Sequence, residues 1–486
     1  MRDSQRMALK RSDRVRINVG GTPFITSSTT IANAGADSML CSLLNENWEP
    51  ATRDPQRHEQ DEIFIDRDPA LFAVLLDLLR TGELRTPHGI PHGTLVREAV
   101  FYGIDRHVKA ASWGSPLDGN RVRCRASVRG RATTDAVAIR ASPGGGCGVA
   151  HGPMIHVYDW SLEELPPVTL DFMSVNDFGF LPRNPLRMVV CAADRGDIGG
   201  LGCVNAATGK LIQRMKLELD DSSRSFMALA CASSDCEVFA SSRMRGVGIW
   251  DQESGRNVGF VTSGEGGGGS KLQWLPSSNL LLVASMFPHS DHCFLTLLDR
   301  RQRTKAWEWS DCEMRSQPLI MDAVAIQNRN MICVVDQSDE LGFIDTRMGG
   351  GGGGGSGAAF APACWSHMFQ RIKRSEMEEH LYSKLRINAS DPSSENLQLF
   401  STREEAVLVH SCSAVALSSA ASASCSLLPA TARLSVSGGG GGGGSGGIAD
   451  IDVGGDRLFV LHSDENLFDV WESPPLLSSS SSKILL

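Results

Sequence analysis

The chain has 486 residues, of which 41% are hydrophobic and 21% charged. This is a globular composition with room for about three domains of ~150 residues, so disorder throughout is excluded. Its 47 Lys and Arg against 56 Asp and Glu leave a formal charge of −9, which argues against nucleic-acid binding through bulk charge. The longest strongly apolar stretch, residues 280–287, is far short of the ~20 residues that a membrane helix needs.

Cysteine usage bounds the compartment. There are 13 cysteines, an odd number, with no C-x-x-C pair. The start, MRDSQRMALKRSDRVR, is polar and has no signal-peptide pattern. Reduced, mostly buried thiols in an intracellular protein are expected. The expected location is cytoplasmic, with the nucleus as the alternative, although Lys10, Arg11, Arg14 and Arg16 are sparse for a nuclear signal. Asn388 heads a formal glycosylation sequon that stays unmodified in such a compartment.

In chain order, Val15-Arg16-Ile17-Asn18-Val19 alternates apolar and polar residues, the pattern of a half-buried strand. Gly20-Gly21 makes a turn and Pro23-Phe24-Ile25-Thr26 resumes an extended run, which together predict a hairpin. Ile63-Phe64-Ile65 predicts a third strand. Asp68 is positioned to cap a helix that opens with Pro69 and closes at Gly82. Its apolar face holds Leu71, Phe72, Leu75, Leu76 and Leu79. A second helix, with Thr94 as its candidate cap, runs to Gly103.

Beyond residue 120 the sequence repeats. Short apolar segments end in Asp or Asn at Asp159, Asn205, Asp251, Asp299 and Asp345, spaced 46, 46, 48 and 46 residues apart. That is close to the ~40–45-residue period of propeller blades. Residues 187–195, 226–234, 271–286, 331–337 and 456–463 read as further core strands. Gly-rich tracts at 266–269, 349–357 and 438–447 read as flexible loops. A Ser/Ala-rich stretch at 411–437 and a Ser run at 478–482 have the same low-complexity texture.

These features resemble known families. INVGG-x-PF-x-TS, DSML, IFIDRDP-x-LF, LLRTGEL and EA-x-FYGI, in that order, resemble the BTB/POZ fold of the potassium-channel tetramerisation type. The zinc-binding H-x-x-x-C-x-x-C-like cluster of channel versions is absent, as are a channel's transmembrane helices. The repeats resemble a WD-repeat or related β-propeller. Trp250-Asp251 and Val470-Trp471 echo the signature dipeptide, and the G-H dipeptide is missing. The expected architecture is therefore multidomain, with an α/β BTB/POZ domain at 14–108, a linker at 109–125, an all-β propeller of six or seven blades at 126–475 and a tail at 476–486. An irregular β-sandwich is the alternative for the second half.

Candidate chemistry is weak throughout. Gly443–Gly447 matches G-x-S-x-G, but no strand–turn–helix surrounds it. Gly196–Gly202 is Gly-rich without a helix to follow. His289, His292 and Cys293 lack a second pair of ligands, and His88 and His92 flank a Pro/Gly loop. Asp66 and Asp68 look like a carboxylate pair, but a turn and a cap explain them better. No catalytic residue, cofactor or metal is expected.

The resemblance implies an adaptor, similar to a plant family of BTB/POZ proteins with a WD-repeat-like domain. The BTB half would self-associate and dock cullin-3 of a RING ubiquitin ligase, and the propeller would recruit a protein substrate for ubiquitination. Cullin docking in related complexes implicates Met39, Leu43, Leu44 and Glu46, with core packing as the competing account for Met39 and Leu43. Self-association implicates Asp66, Arg67 and Asp68, which compete with an intramolecular cap. Trp250 and Trp471 are expected to pack between blades. A non-degradative oligomeric scaffold is the rival reading, and neither nucleic acid nor membrane is an expected partner.

Overall fold

Two units divide the chain, residues 1–114 with 475–486, and residues 115–474. The computed structural model describes residues 14–36, 38–42, 63–87 and 89–112 of the first unit. In the second unit it describes 117–132, 134–171, 173–181, 184–193, 200–215, 226–232, 237–242, 246–261, 268–286, 290, 292–310, 319–327, 329–337, 339, 341–347, 384–388, 396–403, 406–413, 431–435, 447–463 and 466–474. The Gly-rich tracts 349–357 and 438–446 lie outside the described residues, as do His88, His289 and most of 194–200.

The first unit opens with the hairpin β1 (Arg14–Val19) and β2 (Thr22–Ser27). Gly20 and Gly21 both have positive φ, 55° and 88°, as a two-residue hairpin turn requires. Helices α1 (Ser28–Ala32) and α2 (Met39–Ser42) follow. Strand β3 (Ile63–Ile65) then pairs parallel to β1, giving the order β2-β1-β3. The alternation sends Ile17, Val19 and Ile65 into the core. Arg16 opposite Ile25, and Asn18 opposite Phe64, occupy the other face.

Helix α3 (Pro69–Thr81) starts as expected, with Asp68 Oδ1 accepting from the Ala70 N–H at 2.8 Å. It ends at Gly82 in the left-handed region, with φ 75°. It buries Leu71, Phe72, Leu75, Leu76 and Leu79, and also Val74 and Leu78, because core meets both flanks of the helix. Helix α4 (His92–Tyr102) begins earlier than expected. Pro91 holds the cap position without a side-chain bond, so Thr94 sits in the first turn and is not the cap. The fixed φ of proline favours this extended-to-helix junction. Helix α5 (Asp105–Ser112) occupies the first part of the expected linker. Phe72 anchors the core, 5.0 Å from the ring of Phe24 and 5.2 Å from that of Tyr102.

The second unit starts with β4 (Arg123–Arg129), which begins at the end of the expected linker, and among the described residues continues as seven sheets. The first holds β5 (Ala138–Ala141), β6 (Cys147–His151), β7 (Met154–Tyr158) and β8 (Val168–Thr169). The second holds β9 (Ser174–Leu181), β10 (Asn184–Ala193), β11 (Leu201–Asn205) and β12 (Leu211–Arg214). The third holds β13 (Phe226–Cys231), β14 (Glu237–Ser242), β15 (Gly246–Asp251) and β16 (Asn257–Val261). The fourth holds β17 (Lys271–Leu275), β18 (Leu280–Ser285), β19 (Phe294–Asp299) and β20 (Thr304–Ser310). The fifth holds β21 (Ile320–Ile326), β22 (Met331–Asp336) and β23 (Leu341–Asp345). The sixth holds β24 (Leu385–Ile387), β25 (Asn396–Arg403), β26 (Ala406–Ser413) and β27 (Ala432–Ser435). The seventh holds β28 (Ile448–Gly454), β29 (Arg457–His462) and β30 (Leu467–Glu472), and β4 completes it as the outer strand.

The leading strands β5, β9, β13, β17, β21, β24 and β28 each pack on the next, and β28 packs back on β5. Among the described residues that cycle closes seven sheets into a propeller and not a sandwich. Apolar clusters fill the blade interfaces. Trp250 is fully buried beside Leu181, Val189, Phe226 and Val238, and Trp471 packs with Phe400, Val409 and Leu458. Gly248 permits the first of these, since a Cβ there would overlap the Trp250 indole.

The 46-residue beat has a local cause. Asp159, Asn205, Asp251, Asp299 and Asp345 end or follow the third strand of a blade. Each side-chain oxygen accepts backbone N–H groups of the turn that follows. Asp299 Oδ1, for example, accepts from Arg301 at 2.7 Å and Gln302 at 3.1 Å. Asp and Asn recur there because their short side chains substitute for a backbone acceptor in a tight turn.

Candidate interaction surfaces and the propeller channel

In the first unit the cullin-docking candidates separate. Met39 opens α2 and is partly buried, while its neighbour Leu40 is in the core. Leu43, Leu44 and Glu46 lie outside the described residues. Of the self-association candidates, Asp68 is spent on the α3 cap. Arg67 Nε donates to Glu98 Oε1 at 3.2 Å, and its guanidinium lies 4.0 Å from the centre of the Phe101 ring. Asp66, which precedes both, is exposed.

Sequence reasoning passed over a more prominent feature of this unit. Phe64 is 63% exposed and Ile25 59% exposed, on the outer face of the three-stranded sheet. Val100 and Phe101 are also exposed, on α4. The signal was available, since Phe64 and Ile25 lie out of phase with the buried residues of their own strands.

In the second unit the leading strands enclose an axial cavity of about 790 Å³. Its wall carries Arg140, Lys271, Lys384 and Arg386, with Asp177, Asp322, Asp450 and Asp452. Arg140 reaches Asp177 and Asp450, each at 2.6 Å. Lys271 Nζ reaches Asp322 Oδ1 at 2.6 Å. Arg386 spans Asp322, Asp450 and Asp452 at 3.4, 3.1 and 3.3 Å.

The aspartates also staple three pairs of neighbouring blades, the second to the third, the fifth to the sixth and the seventh to the first. Asp177 accepts from the N–H of Leu229, Asp322 from Leu385, Asp450 from Ile139 and Asp452 from Ala141. Gln273 does the same with its amide, donating to the Ala325 carbonyl and accepting from its N–H. Asp450 to Ile139 and Asp452 to Ala141 advance together, so β28 and β5 run in the same direction.

Burial disfavours the Asp450 carboxylate, but Arg140 and Arg386 outweigh it and bring its pKa down to about 2. Asp322 is lowered likewise, with Lys271 and Arg386 overcoming burial. Burial lowers Lys271 to about 8, against the pull of Asp322. The belt is thus charged near neutrality and internally paired.

Two further sets of chemistry-bearing groups are described by their surroundings. Ser127 Oγ donates to Asp469 Oδ1 at 2.5 Å, and His462 Nε2 lies 3.3 Å from Asp469 Oδ2. These are the residue types of a hydrolytic triad, but the hydroxyl meets the carboxylate and not the imidazole. Asp469 is fully buried. Burial raises the thiols of Cys147, Cys191 and Cys231, the last to about 12, which leaves them un-ionised near neutral pH. Among the described residues, no group of three or more His, Cys, Asp or Glu is arranged to hold a metal ion, and no helix is long and apolar enough to cross a membrane.

Residues 15–111 match the BTB/POZ domain family, and residues 130–473 match the At2g24240-like C-terminal beta propeller. BTB/POZ domain-containing protein At4g30940 of Arabidopsis thaliana is 40% identical over 480 residues, 96% of this chain and 99% of that protein. At2g24240 of the same plant is 40% identical over 475 residues, 95% and 98% of the two chains. SH3KBP1-binding protein 1 of Rattus norvegicus is 38% identical over 104 residues, only 21% of this chain and 14% of that protein. A tetramerisation-type BTB/POZ domain joined to a propeller defines an interaction or adaptor protein. Within that class, the chain belongs to the At2g24240-like family of BTB/POZ proteins.

Proposed function

We propose that the protein is a substrate-specific adaptor of a cullin-3 RING E3 ubiquitin ligase. The BTB unit self-associates and docks cullin-3, and the propeller holds the protein to be ubiquitinated. The chain itself is non-catalytic, and the chemistry resides in the recruited machinery. The observation that carries this reading is the coupling, on one chain, of a BTB/POZ domain at 15–111 to a separate seven-sheet recognition unit. The exposed Phe64 and Ile25, on one face of the BTB sheet with Arg16 and Asn18 between them, support self-association. Eight of the described cysteines are free thiols, in keeping with a cytoplasmic or nuclear setting.

The test is a pull-down of the full chain with the N-terminal domain of cullin-3, with light scattering on the same sample. Micromolar or tighter binding, lost in Met39→Asp or Leu43→Asp while the oligomer persists, is the expected result. An oligomer that ignores cullin-3 would replace this reading with a non-degradative scaffold. The name of SH3KBP1-binding protein 1, a relative over the BTB region alone, favours that second reading.

A further inference from the structure

The outer strand of the seventh sheet carries a run of arginine. Arg121, Arg123, Arg125, Arg129 and Arg131 are all exposed. Residues 117–137 hold these five arginines against two acidic residues, Asp118 and Asp135, in a chain whose formal charge is −9. The carboxylates within reach are already engaged. Glu472 lies 3.9 Å from Arg125 but 2.5 Å from Arg457. Glu164 lies 3.4 Å from Arg131, whose side chain is 85% exposed, but 2.7 Å from His156. Positive charge is therefore in surplus along this strand.

The backbone of the same strand is open on one side. β4 pairs with β30 from Arg123 opposite Glu472 to Arg129 opposite Leu467, and no other strand joins it among the described residues. An outer strand of this kind presents a row of unpaired N–H and C=O groups. A register shift leaves Arg125 without an opposite residue, and such a bulge re-aims its side chain.

Charged side chains on an open edge commonly keep other strands away. The remaining blades show that this propeller does without them. In the other five four-stranded sheets, the outer strands β8 and β16 carry no charge, and β12 and β27 carry one arginine each. β20 offsets Lys305 with Glu308 at 2.5 Å. Among these six outer strands, β4 alone bears three arginines, so edge protection does not account for them.

We propose that β4 receives an extended acidic segment of a partner protein as an added strand, its main chain bonding to the open edge and its Asp or Glu side chains pairing with Arg123, Arg125 and Arg129. Main-chain bonds supply affinity in this mode and side chains supply specificity. The open edge selects a polypeptide, since neither a nucleic acid nor a lipid surface can extend the ladder. The arginines select acidity, because opposite charges across strands stabilise and like charges destabilise, and the planar guanidinium matches a carboxylate. The proposal deepens the reading of the propeller as the recruiting half and rests on it.

The experiment uses the full-length protein and labelled, end-blocked octapeptides, read by fluorescence anisotropy. One peptide alternates Glu with Val. Three others replace Glu by Gln, replace Glu by Lys, or keep Glu and methylate consecutive backbone nitrogens, which preserves the charge and removes the N–H donors. The Glu peptide is expected to bind about tenfold more tightly than the Gln peptide, with no binding of the Lys peptide. Backbone methylation should cost a similar factor, and so should Arg123→Gln combined with Arg129→Gln. Arg301→Gln, on an exposed turn of the fourth blade, should leave binding unchanged. Equal affinity of the methylated peptide, or equally tight binding of duplex DNA or of phosphatidylserine vesicles, would overturn the added strand and leave a plain anion-binding patch. Full affinity in the double arginine variant would put peptide capture elsewhere on the propeller. No bound peptide at all would overturn the site outright. Cullin-3 binding is measured on the same preparation, so a failure of the ligase reading registers separately.

Discussion

Ser127 and Asp469 stand 342 residues apart in the chain and share a hydrogen bond of 2.5 Å. One belongs to the first strand of the second unit and the other to its last, so this bond fastens the ring at its seam. Replacing Asp469 by Ala removes the acceptor of Ser127 and the partner of His462 in a buried setting. Loss of such a partner costs about 1–3 kcal/mol. A urea titration of the full chain should show the second unit unfolding at lower denaturant, and an unchanged midpoint would mean that the seam is held by its strand pairing alone.

Asp450 links stability to acid. Its pKa falls from 3.8 to about 2 on folding, so it stabilises the folded state above pH ~4 and loses that contribution as pH falls through about 2. By linkage the contribution is roughly 2 kcal/mol. Asp450→Asn should therefore be less stable than the parent at pH 6, and the gap should narrow below pH ~4 and close as pH falls through about 2. A gap that stays constant over that range would show that the carboxylate's charge plays no part.

Gly248 is a packing test. A methyl group there meets the ring of Trp250, which is fully buried against Phe226 at 5.2 Å and Phe260 at 5.8 Å. Overpacking of this kind costs about 1–3 kcal/mol. Gly248→Ala should lower the melting temperature and raise Trp250 fluorescence heterogeneity, and Gly248→Ala with Trp250→Leu should recover part of the loss.

Asp68 and Phe64 separate capping from assembly. Asp68→Ala should cost about 1 kcal/mol through the lost α3 cap and leave the oligomer intact. Phe64→Asp, at a position 63% exposed, should change stability by less than about 0.5 kcal/mol and reduce the mass seen by light scattering. The opposite pattern would put self-association on the Asp66–Asp68 turn.

The BTB unit was largely legible because its signals are local. Gly20-Gly21, Asp68-Pro69, Gly82 and Gly103 each set one backbone geometry. Thr94 misled because a better stop, Pro91, lay three residues earlier. The propeller showed itself through Asp and Asn at turns, which need only their own neighbours. The channel was illegible for the opposite reason. Arg140, Asp322, Arg386 and Asp450 are scattered over some 310 residues, and only ring closure brings them together. A charged residue inside an apolar strand, such as Asp322 in IMDAVAI, was the one visible hint.

The place of β4 in the seventh sheet sets a timetable for synthesis. Its partner β30 leaves the ribosome about 340 residues later, a delay of roughly 20–70 s at 5–20 residues per second. Throughout that interval the propeller is an open arc with an unpaired edge, while the BTB unit, with its own core from residues 14–112, is already complete. Copies made on one messenger could therefore meet through their N-terminal halves before any of them owns a finished recognition face.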